Sequence, residues 1–440
     1  MIVYSHTLTP RLQYVIKFLS DYYHHPFKLT ANEQVYSVSE DFKINYSHQK
    51  ISEGEIYINP HALLFENEKR KVQVKSFDHK GHLAFFEASG DLHFDLFAAV
   101  FFLLSRYEEY LPHQKDQFGL YSYENSTAHR EGFLQQPLVN IWLEVFRKTL
   151  VEKFPEISLV QNTFRFLPTY DIDIAWAYRN KGFKIHAGNV VRTILKGKWK
   201  VALERIRVVK GKITDPYDAY EWMDDLHQRY NLDPLYFFLV ADEKGKYDKN
   251  TDIRNPEFQE LVKRISSKYQ TGIHPSWCSG DHTAQLPKEK KWLETLTHKH
   301  IHASRQHYLR FHLPATFQRL LNAGITHEYS MGYGQVNGFR ASICTPYYWY
   351  DLEQEQSTSL IIHPFCFMDA NAYYEQNLSP DEALNELKQF YTSIKEVNGT
   401  MITLWHNNFL GTAREFEGWR EVYEQFIQTL HANGEIPAAK

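Results

Sequence analysis

The sequence predicts an α/β protein in two parts. Residues 1–158 read as an N-terminal α/β unit, and residues 159–440 as a strand–helix alternation of the (β/α) barrel kind. Three observations support this. A chain of 440 residues exceeds the usual size of one domain. After Pro155 the rhythm changes to short apolar strands alternating with helical stretches. The polar residues capable of chemistry cluster where those strands end, which is where barrels carry their active sites.

In the first part, Gln34–Val38, Glu55–Ile58 and Val72–Val74 are strand-like. Phe94 to Tyr107 is apolar nearly all round, which predicts a buried core helix. Asn140–Phe154 places Trp142, Val145, Phe146 and Leu150 at helical spacing before Pro155 breaks the pattern. In the second part, strands are expected at Thr163–Asp171, Pro234–Val240, Gly272–His274, Ile301–Phe311, Leu360–His363 and Met401–His406. Helices are expected at Tyr217–Tyr230, Pro256–Lys268, Lys288–Thr297, Ala315–Ala323 and Asp381–Val397. Such alternation means a mostly parallel sheet with helical crossovers, and about 280 residues suit a closed barrel or a near relative.

Composition narrows the function classes. The chain is 43% hydrophobic and 23% charged, as ordinary globular proteins are. Forty-nine basic against fifty-three acidic residues give a net charge of −4, so the overall charge argues against nucleic-acid or membrane binding. Cys278, Cys344 and Cys366 are too few for a disulfide framework and suit a reducing compartment. The N-terminus lacks a basic stretch followed by an apolar one, and the longest strongly apolar run, Leu96 to Leu104, falls far short of the ~20 residues that span a bilayer. A cytoplasmic location is the expectation.

One segment departs from this balance. Lys181 to Lys212 carries Lys181, Lys184, Arg192, Lys196, Lys198, Lys200, Arg205, Arg207, Lys210 and Lys212 against Glu204 alone. Val191, Ile194, Leu195, Trp199, Val201 and Ile206 interleave with them. The segment reads either as a solvated helix packed on the barrel or as a peripheral contact with an anionic lipid or lipid-linked glycan.

The chemistry centres on Thr169-Tyr170-Asp171-Ile172-Asp173. Residues i and i+2 of an extended chain share a face, so Asp171 and Asp173 leave one strand side by side. Adjacent carboxylates repel unless a cation or a shared proton relieves them. The alternative is a strand end followed by a capping aspartate. Four further patches join them. His274 follows a short strand, with Cys278 and His282 beyond it. Arg305 and His307 would share a face of the strand expected there, and His307 is a potential metal ligand. Arg340 could orient an aspartate base, or equally pair with a structural acid such as Asp351 or Asp369. His406 ends an apolar strand whose face it shares with Ile402 and Leu404, as a potential acid, with His363 a rival.

This order of motifs resembles the NodB-type polysaccharide deacetylases, carbohydrate esterase family 4, over roughly residues 160–415. More narrowly it resembles a bacterial subgroup with an extra N-terminal domain, through Ser304-Arg305-Gln306-His307-Tyr308-Leu309 and Tyr329-Ser330-Met331-Gly332-Tyr333. The resemblance implies a distorted (β/α)7 barrel. It implies Asp171 as general base, Asp173 and His274 as metal ligands, and His406 within Leu404-Trp405-His406 as general acid. Arg340, followed by Pro346 at the family's spacing, would position the base, with Arg305 a second candidate. The family's second metal histidine falls at Cys278, a departure that leaves two outcomes open: His307 substitutes as third ligand, or the metal is weakly held or missing. Arg305, Trp405 and Tyr347 are the expected substrate contacts.

The implied function is a hydrolase, using a divalent metal of the Zn2+ type, that removes N-acetyl groups from an amino-sugar glycan or its precursor. An N-acetylated glycan is the expected partner, and nucleic acid is not. Two other readings stay open: a non-catalytic glycan-binding module with a decayed metal site, and a barrel hydrolase of a non-sugar amide.

Overall fold

The computed structural model describes residues 1–180, 188, 192–243 and 245–436. The first part holds a parallel sheet of β1 (Ile2–Tyr4), β2 (Lys28–Thr30), β3 (Lys43–Tyr46) and β4 (Ile56–Ile58), in the order β2-β1-β3-β4. A hairpin of β5 (Phe77–His79) and β6 (His82–Ala84) follows. Gln34–Val38, expected as a strand, belongs instead to the helix Glu33–Val38. The Asn32 side chain accepts from the Gln34 and Val35 N–H groups there, and this cap starts a helix despite the β-branched content. Val72–Val74 forms no regular element.

The apolar run is the helix Leu96–Leu104, every residue of it buried. It packs against the helices Pro10–Tyr22 and Leu138–Lys153 and against the second sheet, which explains its all-round apolarity. Its N-cap Asp95 is fully buried and accepts from Ala98 N–H, His61 N–H and the Tyr46 hydroxyl. Burial raises this carboxyl to about 6, even though those donors favour the anion.

Among the described residues, the second part is built on nine strands: β7 (Arg165–Ile172), β8 (Leu235–Leu239), β9 (Gln270–His274), β10 (Ala303–Ser304), β11 (His327–Glu328), β12 (Tyr347–Asp351), β13 (Gln356–Ile362), β14 (Phe367–Met368) and β15 (Thr400–His406). Their order is β12-β13-β11-β10-β9-β8-β7-β15-β14, parallel throughout except for the β12–β13 hairpin. The sheet is open: among the described residues, no ladder joins β12 to β14. Its inner face carries Leu235, Phe237, Phe365, Ile402 and Leu404, and its outer face packs under helices. The helices Tyr220–Arg229, Pro256–Lys268, Gln285–Thr297, Ala315–Asn322 and Pro380–Glu396 lie within a few residues of expectation, and Trp419–Ala432 joins them. No helix among the described residues is long and apolar enough to cross a membrane.

The strand expected over Ile301–Phe311 is only two residues long. Arg305 N–H still pairs with the Ile273 carbonyl, but Gln306 N–H turns to Ser330 Oγ at 2.8 Å and the ladder stops. The chain then makes a tight turn with Tyr308 and Leu309 at positive φ (58° and 50°).

The two parts share one hydrophobic core. Buried Arg11 makes a two-toothed ion pair with Glu355, and the Tyr14 hydroxyl donates to the Tyr348 carbonyl at 2.7 Å. Asn140 accepts from Cys344 N–H at 2.9 Å.

Candidate active site

Strand ends build the site. Asp171 and His406 are register partners on β7 and β15, so they stand side by side at the rim of the inner face. His274 closes β9 on the other side of β8. Asp171 is buried, and its Oδ1 accepts from Arg305 Nη1 at 2.9 Å. Arg305 is itself fully buried, donates through Nε to the Tyr329 carbonyl, and lies 4.5 Å over the Phe237 ring. Gly272 permits that stack, because a Cβ there would stand 2.5 Å from Phe237.

Asp173, one residue beyond the strand, faces three imidazoles. Its Oδ1 is 3.1 Å from His274 Nε2, and its Oδ2 lies 3.6 Å from His307 Nε2 and 3.7 Å from His406 Nε2. In each ring the far nitrogen is tied off. His274 Nδ1 donates to the Arg305 carbonyl at 2.5 Å, His307 Nδ1 to Asp248 at 2.9 Å, and His406 Nδ1 to Asp369 at 2.7 Å. All three Nε2 atoms are therefore turned toward the same carboxylate.

Charge follows geometry. Burial pushes the Asp173 carboxyl upward, but His307 and His274 outweigh it and hold the group well below the usual carboxylate range. Burial disfavours the His307 cation, yet Asp173 and Asp248 raise it to about 9. His406 is likewise raised to about 10 against burial, by Asp369 first and then by Asp173 and Asp171. Burial raises Asp369, with His406 opposing.

The donors fit a divalent ion. Among the described residues, Asp173, His274 and His307 form the one carboxylate–imidazole cluster of this kind, with ligand atoms within 4.8 Å of one another. Asp173 Oδ1 is buried with no well-aligned hydrogen-bond donor, so a lone pair is left facing the cluster. A carboxylate with two imidazoles is a zinc-type donor set, and the Nδ1 bonds to Asp248 and to the Arg305 carbonyl fix both tautomers for ligation through Nε2.

Several expected site residues take other places. Arg340 lines the cleft, but its guanidinium does not pair with Asp171. It forms a two-toothed pair with Glu109 (2.9 and 2.6 Å), which also binds Arg106 at 2.8 Å, so its charge is spent on a carboxylate of the first part. Arg305 holds the position beside Asp171 that spacing suggested for Arg340. Trp405 is fully buried between Phe367, Trp419 and Tyr423, because strand alternation turns it away from His406. Tyr347 lines a separate cavity of about 370 Å3 near the starts of β7 and β15, with Arg165 and Thr400. Cys278 offers Asp248 only its backbone N–H, and His282 is exposed. His363 stacks on Tyr329 away from the cleft, and burial lowers its pKa to about 3.

The cleft above the cluster measures about 440 Å3. Tyr217, Tyr308, Tyr374 and Phe409 line it, joined by Asp116, Phe118, Leu120 and Tyr121 from the first part. Phe118 meets Tyr308 at 5.4 Å and Trp277 at 6.0 Å. Sequence reading missed Asp248 and Phe118, which lie on irregular segments without periodic signal. Asp369 it weighed only as a partner for Arg340, although this acid follows the apolar run Phe365–Met368.

Residues 1–155 match a family of unknown function, DUF7033. No curated relative matches the chain. Among solved structures, a Mycobacterium smegmatis protein named as a candidate polysaccharide deacetylase is 12% identical with a TM-score of 0.40, covering 64% of this chain and 88% of that one. A polysaccharide deacetylase from Bacillus cereus is 10% identical, TM-score 0.30, covering 62% and 89%. A carbohydrate esterase family 4 pseudoenzyme from Bacillus anthracis is 10% identical, TM-score 0.27, covering 62% of each chain. Overlap at this level assigns no residue, and the chemistry rests on the cleft itself.

Proposed function

We propose that the protein is a metal-dependent hydrolase that removes N-acetyl groups from an amino-sugar glycan, on a relative of the distorted NodB-type barrel. One observation carries this reading. Three Nε2 atoms, from His274, His307 and His406, converge within 3.1–3.7 Å of Asp173, beside an arginine-paired Asp171. The motif order along the sequence supports it.

Asp173, His274 and His307 would hold the ion. When bound, it supplies Lewis acidity toward the acetyl carbonyl and lowers the pKa of water in the cleft. Asp171 then serves as proton acceptor. Arg305 fixes its Oδ1, leaving Oδ2, 3.6 Å from His274 Nε2, to meet the attacking water. His406 is the donor to the departing amine. Its Nδ1–H bond to Asp369 fixes the ring, and the acids around it favour the protonated form. The aromatic walls offer flat apolar faces suited to sugar rings.

The test is acetate release from N-acetylated oligosaccharides by the purified chain, with and without added Zn2+. Asp171→Asn should abolish release while metal uptake persists. Sugar binding without acetate release by the metal-loaded wild type would instead make the protein a glycan-binding module.

A further inference from the structure

Residues 192–210 expose an unusual amount of apolar surface. Of the thirteen large apolar residues exposed among the described residues, six fall here, including Ile194 (52%), Leu195 (82%), Trp199 (61%) and Leu203 (49%). Single exposed leucines are ordinary, but a contiguous apolar patch rimmed by charge marks an interaction surface.

The helix Trp199–Val209 explains the arrangement. Buried Ala202 and Val208 seat one face, and between them the Arg205 guanidinium lies 4.7 Å over the Tyr178 ring. At about 100° per residue, Trp199 and Leu203 fall on the opposite face, with Lys200 and Arg207 beside them. Ile194 and Leu195, in the helical stretch before the Lys196–Gly197 turn, are exposed as well.

Charge selects the occupant. The stretch holds seven cations and one acid, Glu204, in a chain whose net charge is −4. Two copies of so basic a patch would repel each other, which disfavours self-association. A surface that is negative outside and apolar beneath satisfies both features. We propose that residues 192–210 dock the protein onto an anionic lipid bilayer, with Leu195, Trp199 and Leu203 entering the interface and the lysines meeting the headgroups. The seated face of the helix, opposite the patch, leads toward the cleft: Tyr178, under Arg205, donates its N–H to Asp215, which also accepts from Tyr217, a lining residue. The proposal does not depend on the hydrolase reading.

Flotation of the full chain with vesicles tests it. Wild-type protein should float with phosphatidylserine-containing phosphatidylcholine vesicles, not with phosphatidylcholine alone, and should dissociate as salt is raised. Each cation near such a surface is worth about fivefold in partitioning, so Lys196→Gln, Lys198→Gln and Lys200→Gln together should weaken binding on the order of 100-fold. Leu195→Ser with Trp199→Ser should also release the protein, with its melting curve unchanged because these side chains are exposed. Failure of the wild type to float would overturn the proposal. So would binding indifferent to both variants, or self-association that the leucine–tryptophan variant abolishes.

Discussion

Arg305 and Asp171 stand 134 residues apart in sequence, yet form an ion pair of 2.9 Å with 0% and 3% side-chain exposure. Such a pair makes each partner depend on the other. Arg305→Lys keeps the charge but cannot span both Asp171 and the Tyr329 carbonyl as the guanidinium does. We expect kcat to fall on the order of 10²-fold, from misplacement of the proton acceptor. Arg340→Lys should leave kcat within a small factor and lower the melting temperature. Steady-state kinetics with thermal melts on both variants checks this, and the reverse pattern would exchange the two arginines.

Elemental analysis should find about one divalent ion per chain. His307→Ala and Asp173→Ala should each lose it. Cys278→Ser should retain it, because only the backbone of that residue reaches the ligand shell, through Asp248. Loss of the ion in the cysteine variant, with retention in the His307 variant, would reinstate Cys278.

Acid should act through Glu109. Burial raises this carboxyl, but Arg340 and Arg106 outweigh it and lower it from 4.5 to about 2. A depressed carboxylate contributes stability that is fully present above its unfolded value and is lost as pH falls through its folded one. Glu109→Gln, which leaves two buried arginines without an anion, should cost about 3–5 kcal/mol near neutrality. Urea unfolding across pH should show that gap narrowing below the ordinary carboxylate range. A gap constant down to the folded value would contradict the ion-pair account.

Asp369→Asn should slow turnover on the order of 10²-fold with little change in KM, because an amide has one acceptor oxygen and cannot serve both His406 N–H and His406 Nδ1–H as the carboxylate does. The basic limb of the pH–rate profile should also move to lower pH, since Asp369 is the leading charge favouring protonated His406. An unmoved limb would mean that another group titrates there.

Phe118→Ala probes the wall contributed by residues 1–155. It should raise KM severalfold for longer oligosaccharides while kcat holds, because the ring lies beside Tyr308 at the cleft and away from the reacting atoms. Equal effects on all chain lengths would remove it from the substrate's path.

The sequence by itself located most of the second part's strands and helices, because their apolar periodicity is local and Pro256, Pro380 and their caps mark helix starts. It also placed Asp171, His274 and His406 at strand ends, since an apolar run that stops at a polar residue is visible in one dimension. Tertiary structure decided the rest. Whether Arg305 or Arg340 faces Asp171 depends on Glu109, 231 residues before Arg340, which captures one guanidinium and leaves the other. His307 meets Asp173 because Ser330 ends β10 early and the chain turns, a competition between backbone donors that spacing does not record. Phe118 reaches the cleft only because two sheets far apart in sequence share one core. Local patterns set where a side chain leaves its own element, while long-range packing sets what it meets.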